Sequence, residues 1–278
     1  MNKDVISKVA NDLCLGGHKN KPMPSLSELK EIMELLRAVL FPGYFGSADL
    51  TSASRHFYMG ATLDIIANKL KEQVLRGYCF FCEKENCDNC EYESDDVVEK
   101  FMQSLPRIRH LLETDAQAAY QGDPAARTES ETIFCYPSIR ALINHRVAHE
   151  LYKLNVPLIP RIITEAAHSE TGIDIHPGAE IGEKFFMDHG TGIVIGETTI
   201  IGKNVRLYQC VTLGAKSFPL DKDGHPIKGV PRHPIVEDDV IIYAGATILG
   251  RINIGKGSTI GGNVWLTDPV PAGSKIQR

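Results

Sequence analysis

Asp174 and His189 stand 15 residues apart, inside the motifs Asp174-Ile-His-Pro177 and Met187-Asp-His-Gly-Thr-Gly192. A carboxylate paired with an imidazole fixes the ring tautomer and stabilises the imidazolium, leaving the far nitrogen free to take a proton from a hydroxyl. On spacing alone, both residues suit solvated turns equally well. A second cluster is Cys79-Phe-Phe-Cys82 and Cys87-Asp-Asn-Cys90. Paired Cys-x-x-Cys steps let four thiolates converge on one tetrahedral metal, here a structural zinc or an iron–sulfur centre, because four cysteines leave no open coordination position. The same residues also read as four reduced thiols or two reversible disulfides in a polar loop bounded by Glu83, Lys84, Glu85 and Glu91.

The elements that must carry Asp174 and His189 have an unusual period. Aliphatic residues return every sixth position at Ile175, Ile181, Met187, Ile193, Val205 and Val211, with Thr199 alone breaking the run. They return again at Val236, Ile242, Ile248, Ile254, Ile260 and Leu266. Six fits neither an amphipathic helix nor an alternating strand; it fits a chain that turns a corner every six residues, a parallel β-helix with about 18 residues per coil. A separation of 15 then brings Asp174 and His189 to neighbouring levels. Val211 and Val236 fall out of phase, so about 215–235 is expected as an extruded loop; Pro219, Pro226, Pro231 and Pro234 suit it.

Upstream the period is helical. Ser25 to Glu28 forms a capping box before Leu26, Leu29, Ile32, Met33, Leu36 and Leu40, and Pro42-Gly43 stops the run. Further helices are expected over about Ala53–Leu75, Asp95–Ala119, Pro137–Leu154 and Pro160–Ser169, with the cysteine loop after the first of these. The fold class is therefore α + β: an α-helical domain over 1–169, then a β-solenoid over 170–278. The 278 residues are 43% hydrophobic, enough for two cores, and a net charge of −5 without a long basic run argues against nucleic acid. No apolar stretch approaches a membrane span, and 1–17 lacks the apolar core of a signal peptide, so a cytoplasmic location is expected. An odd count of seven cysteines does not suggest a secreted disulfide framework.

Asp174-Ile-His-Pro177, the run from Asp188 to Thr198, Val211-Thr-Leu-Gly214, Pro231-Arg-His-Pro234 and the closing six-residue repeats closely resemble serine O-acetyltransferases of the hexapeptide-repeat family. Gly122-Asp-Pro-Ala125 and His145-Arg-Val-Ala-His149 extend the resemblance upstream, so that it covers about 122–271. It implies a left-handed coil and acetyl transfer from acetyl-CoA to the hydroxyl of L-serine, for cysteine synthesis. It also implies His189 as general base with Asp174 orienting it, Asp123 and Asp188 on the substrate ammonium, Arg232 on its carboxylate, and His233 as a second imidazole at the substrate. Gly214, Ala215, Ala244 and Gly245 match the segments lining the acetyl-CoA groove, which in this family lies between neighbouring solenoids. A homotrimer, possibly paired into a dimer of trimers, and feedback inhibition by L-cysteine follow from the same resemblance.

Each role has a plainer competitor. Asp123 also suits a cap before Pro124, Arg232 a solvated loop charge, and His233 a hydrogen bond inside its loop. His176 belongs to a structural segment of the motif, and His225 suits an exposed turn. The chain ends at Arg278 without the isoleucine-ended tail by which family members engage O-acetylserine sulfhydrylase, so that complex is not expected. Other classes compatible with the repeats are an acyltransferase for a sugar or xenobiotic hydroxyl, a carbonic anhydrase built on His176, His189 and His233, and a passive scaffold.

Overall fold

The computed structural model describes residues 3–14, 22–47, 51–82 and 88–277. Seven helices among them precede the strands: α1 (Lys3–Cys14), α2 (Leu26–Leu40), α3 (Ser52–Phe81), α4 (Asp88–Gly122), α5 (Glu129–Cys135), α6 (Pro137–Lys153) and α7 (Ile159–Thr171). Ser25 caps α2 as its motif requires, its hydroxyl accepting from the Glu28 amide. α3 runs six residues past its expected end because Leu70, Val74 and Tyr78 keep one face against the core, and Gly77 lets Pro157 come close. This corrects the cysteine loop: Cys79 lies in α3, Cys82 caps it, and Cys90 is buried in α4. Cys87 lies outside the described residues. Among those described, no group of three or more His, Cys, Asp or Glu is arranged to hold a metal.

From Asp174 onward the chain winds into three parallel sheets, as expected of the β-helix. The first face stacks Asp174–Ile175, Val194–Ile195, Thr212–Gly214, Thr247–Leu249 and Trp265–Leu266. The second stacks Glu180–Ile181, Ile200–Ile201, Ile235–Val236 and Asn253–Ile254. The third runs from Phe186–Met187 through Arg206–Leu207, Ile241–Ile242 and Thr259–Ile260 to Lys275–Ile276.

The register corrects the simple six-residue count. Ile175 pairs with Ile195 and Met187 with Leu207, each 20 residues on, whereas Ile195 pairs with Leu213 after 18. Two extra residues therefore sit in the corner between Met187 and Val194. Ile193, Thr199, Val205 and Val211 belong to a second buried column, two positions before the first, together with Ile173, Ala179 and Phe185. Thr199, which broke the run, is a small member of that column, fully buried like Ala179. Thr212 pairs with Thr247, and the segment between Gly214 and Ile235 carries no strand of the three sheets.

The helices and the solenoid share one continuous apolar core. A buried ion pair pins them together: the Arg146 guanidinium on α6 makes two hydrogen bonds to Asp115 on α4, at 2.7 and 2.9 Å. It also donates to the carbonyls of Ile181 and Gly182, while Asp115 accepts from the Phe185 amide in the first coil. Nearby, Gly122 ends α4 where a Cβ would strike the Phe186 ring and the Arg206 guanidinium. That close approach delivers Asp123 to the solenoid.

Candidate active site

The corner between the third and first faces carries the two extra residues, and their backbone is compressed. His189, Gly190 and Gly192 all have positive φ, +57, +84 and +78°, and the Gly190 amide donates to the Asp188 carbonyl at 2.6 Å. Equivalent corners higher up turn on one left-handed residue each: Cys210, Gly245 and Asn263. The insertion thus projects His189 outward, with 72% of its side chain exposed.

Of the three acidic residues expected at that imidazole, Asp188 lies beside it. The imidazole Nδ1 lies 3.9 Å from Asp188 Oδ1, and the charge of Asp123 is felt by the same ring. Asp123 accepts from the Ala125 amide at 2.8 Å and from the Tyr136 hydroxyl at 2.5 Å, and these donors, with Tyr136 first, hold its carboxyl below the usual carboxylate range. Asp174 pairs through its backbone with Ile193, four residues beyond His189, but its side chain makes no hydrogen bond to the imidazole. The dyad read from spacing is therefore not closed in the single chain. Ala244 and Gly245 occupy the same edge of the prism two levels up, where a Cβ on Gly245 would meet the Asn263 side chain.

Arg232 and His233 stand at a different corner, between the first and second faces. The Arg232 guanidinium binds Glu197 at 2.6 Å, and Tyr152 donates to the other oxygen of that carboxylate. Burial pushes the Glu197 carboxyl up, and Arg232 more than offsets it, so Glu197 stays below its ordinary value. His233 is 6% exposed, its ring lying so close over Gly196 that no Cβ fits. The Thr198 amide donates to His233 Nδ1 at 3.1 Å, which places the ring proton on Nε2. Burial, and then the Arg232 charge, pull this imidazole down to about 4, so it is a neutral Nε2–H donor near neutrality. Gly214 and Ala215 leave the solenoid at this same corner.

The predicted residues thus form two groups. Asp123, Asp188, His189, Ala244 and Gly245 share one edge of the prism; Arg232, His233, Gly214 and Ala215 share another. One sheet face separates them, roughly 15–20 Å for about six residues at ~3.3 Å each. Sequence reasoning assigned no role to Glu197, Thr198, Tyr152 or Tyr136. Glu197 and Thr198 lie inside a quoted motif, and an acidic residue at a corner was the available signal; nothing periodic marks the two tyrosines.

No family model matches the chain. Its similarity to known proteins is nonetheless extensive. It is 54% identical over 262 residues to the plasmid serine acetyltransferase of Synechococcus elongatus, covering 92% of this chain and 82% of that one. Serine acetyltransferase 1 of Entamoeba histolytica in complex with L-cysteine superposes with a TM-score of 0.79 at 37% identity, over 94% of this chain and 90% of that one. A serine acetyltransferase in complex with CoA superposes at 0.56 and 26% identity, over 89% of this chain and 94% of that one.

Proposed function

Because this chain belongs to the serine acetyltransferase family, we propose that it acetylates the hydroxyl of L-serine from acetyl-CoA in a site that two neighbouring copies complete. The observation that carries the chemistry is the inserted corner, which projects the His189 imidazole beside Asp188 and within the field of Asp123. Serine offers an ammonium, a hydroxyl and a carboxylate. Asp123 and Asp188 take the ammonium, which leaves the hydroxyl at His189. Arg232 and the neutral His233, one prism edge away in the same chain, take the carboxylate when supplied by the adjacent copy.

Asp174 is the orienting partner of His189 once serine occupies Asp188 and frees the imidazole from it. His189 then removes the hydroxyl proton as the serine oxygen attacks the thioester carbonyl. The resulting oxyanion meets a backbone amide near Ala215. Collapse of the tetrahedral intermediate breaks the carbon–sulfur bond, and the imidazolium returns its proton to the leaving CoA thiolate. The products are O-acetyl-L-serine and CoA; no enzyme residue is acylated.

The acetyl-CoA arm lies along Gly214 and Ala215 of one copy and Ala244 and Gly245 of the next, where small residues permit close backbone approach. This sharing requires a ring of copies, and a homotrimer with the first faces turned inward satisfies it. Val194 and Trp265 on that face are exposed in the single chain, Trp265 by 70%. L-Cysteine presents the same ammonium and carboxylate and competes for the serine site. We assign 1–169 and 170–278 as the two domains. No described helix is long and apolar enough to cross a membrane.

The test is CoA release with L-serine, with a panel of sugar and aromatic hydroxyls, and with added L-cysteine. Release with L-serine alone, suppressed competitively by cysteine, is expected. Release with another hydroxyl in preference to serine would replace this reading by that of a different hexapeptide acyltransferase.

A further inference from the structure

Tyr136 ends α5 and begins α6, and Pro137 follows it. A residue before proline is confined to extended backbone, and Tyr136 adopts it, with φ −83° and ψ 121°. The direction in which its side chain leaves the helix junction is thereby fixed. The hydroxyl reaches back 13 residues to donate to Asp123 Oδ2, while Oδ1 accepts the Ala125 amide. With one donor on each oxygen, the Asp123 carboxylate cannot rotate freely, and lone pairs remain for a third donor. The phenol thus touches the ammonium half-site through Asp123.

We propose that Tyr136 is a positioning residue that holds the Asp123 carboxylate oriented for an α-ammonium group, and so sets affinity for serine and cysteine together. The proposal rests on Asp123 being an ammonium ligand. The charge states agree with the geometry. Burial, then the Asp123 hydrogen bond, push the Tyr136 hydroxyl far above its usual range, so it stays a donor at any pH the protein meets. Its hydrogen bond in turn keeps Asp123 ionised. Neither partner can exchange its role. An alternative purely structural use of Tyr136 would leave the substrates indifferent to the hydroxyl.

Tyr136→Phe removes one oxygen and retains the ring. The expected result is a rise of about tenfold in serine KM and in the cysteine Kd measured by calorimetry, with acetyl-CoA KM and thermal midpoint unchanged. In an Asp123→Ala background the same substitution should change nothing further, because its path runs through that carboxylate. Equal weakening of serine and acetyl-CoA, or a full effect persisting without Asp123, overturns the proposal. A silent Tyr136→Phe alongside a raised serine KM in Asp123→Ala overturns it too and leaves Asp123 in the pocket. If Asp123→Ala is itself silent, the ammonium site is misplaced and this inference falls with it.

Discussion

His189 occupies a backbone conformation that costs a non-glycine residue about 1 kcal/mol or more, and its side chain points into solvent. Both facts oppose a stabilising role and suit a general base. His189→Gly is expected to lower turnover by about a hundredfold to ten-thousandfold while denaturant unfolding shows equal or greater stability, by about 1 kcal/mol. A variant that keeps near-native turnover removes His189 from the mechanism. Arg232→Lys is expected to raise serine KM with acetyl-CoA KM little changed, since an ammonium cannot fork between Glu197 and a substrate carboxylate. Steady-state kinetics with each substrate varied in turn gives the answer. At His233 the folded value, about 4, lies below that of an unfolded histidine. A depressed histidine contributes stability above its unfolded value, near pH 6.5, which is lost as the pH falls towards 4. Its imidazole NMR signal should therefore not move above about pH 5. The motif residues were legible at this scale, but the hydrogen bonds of Tyr136 to Asp123 and of Arg232 to Glu197 were not. They span 13 and 35 positions, and such pairings leave no periodic mark.

The solenoid could be read from its six-residue repeat, yet the detail that positions the site was hidden by that same repeat. Each hexapeptide buries two positions, so after the two-residue slip at the inserted corner Ile193 and Val205 still fell on the count while belonging to the other column. Helix α5 escaped notice because seven residues give too short a window for a 3.6-residue pattern. The long ends of α3 and α4 were masked by cysteines that resembled a loop. The junction between helices and solenoid depends on Arg146 and Asp115, both buried. Arg146→Met strands the Asp115 carboxylate and is expected to cost about 3–5 kcal/mol in urea unfolding. Replacing both partners by apolar residues should recover much of that loss, and failure to do so would place the stabilisation in the Ile181 and Gly182 carbonyl contacts instead.

For the whole molecule, the decisive feature is that the proposed site residues of one chain stand on two different edges of its prism. On the proposed assignment, His189 with Asp123 and Asp188 lies a sheet face away from Arg232 and His233 of the same chain, and we therefore propose an assembly of identical copies joined edge to edge as the catalytic unit. Co-expression of differently tagged His189→Ala and Arg232→Ala chains, followed by isolation of the mixed oligomers, tests this most directly. Each variant alone should be nearly inactive. In every mixed trimer, whether two-to-one or one-to-two, one of the three sites unites an intact His189 with an intact neighbouring Arg232, so about a third of wild-type CoA release is predicted. Mixed oligomers as inactive as their parents would contradict the account, because they would show that both residues must come from the same chain.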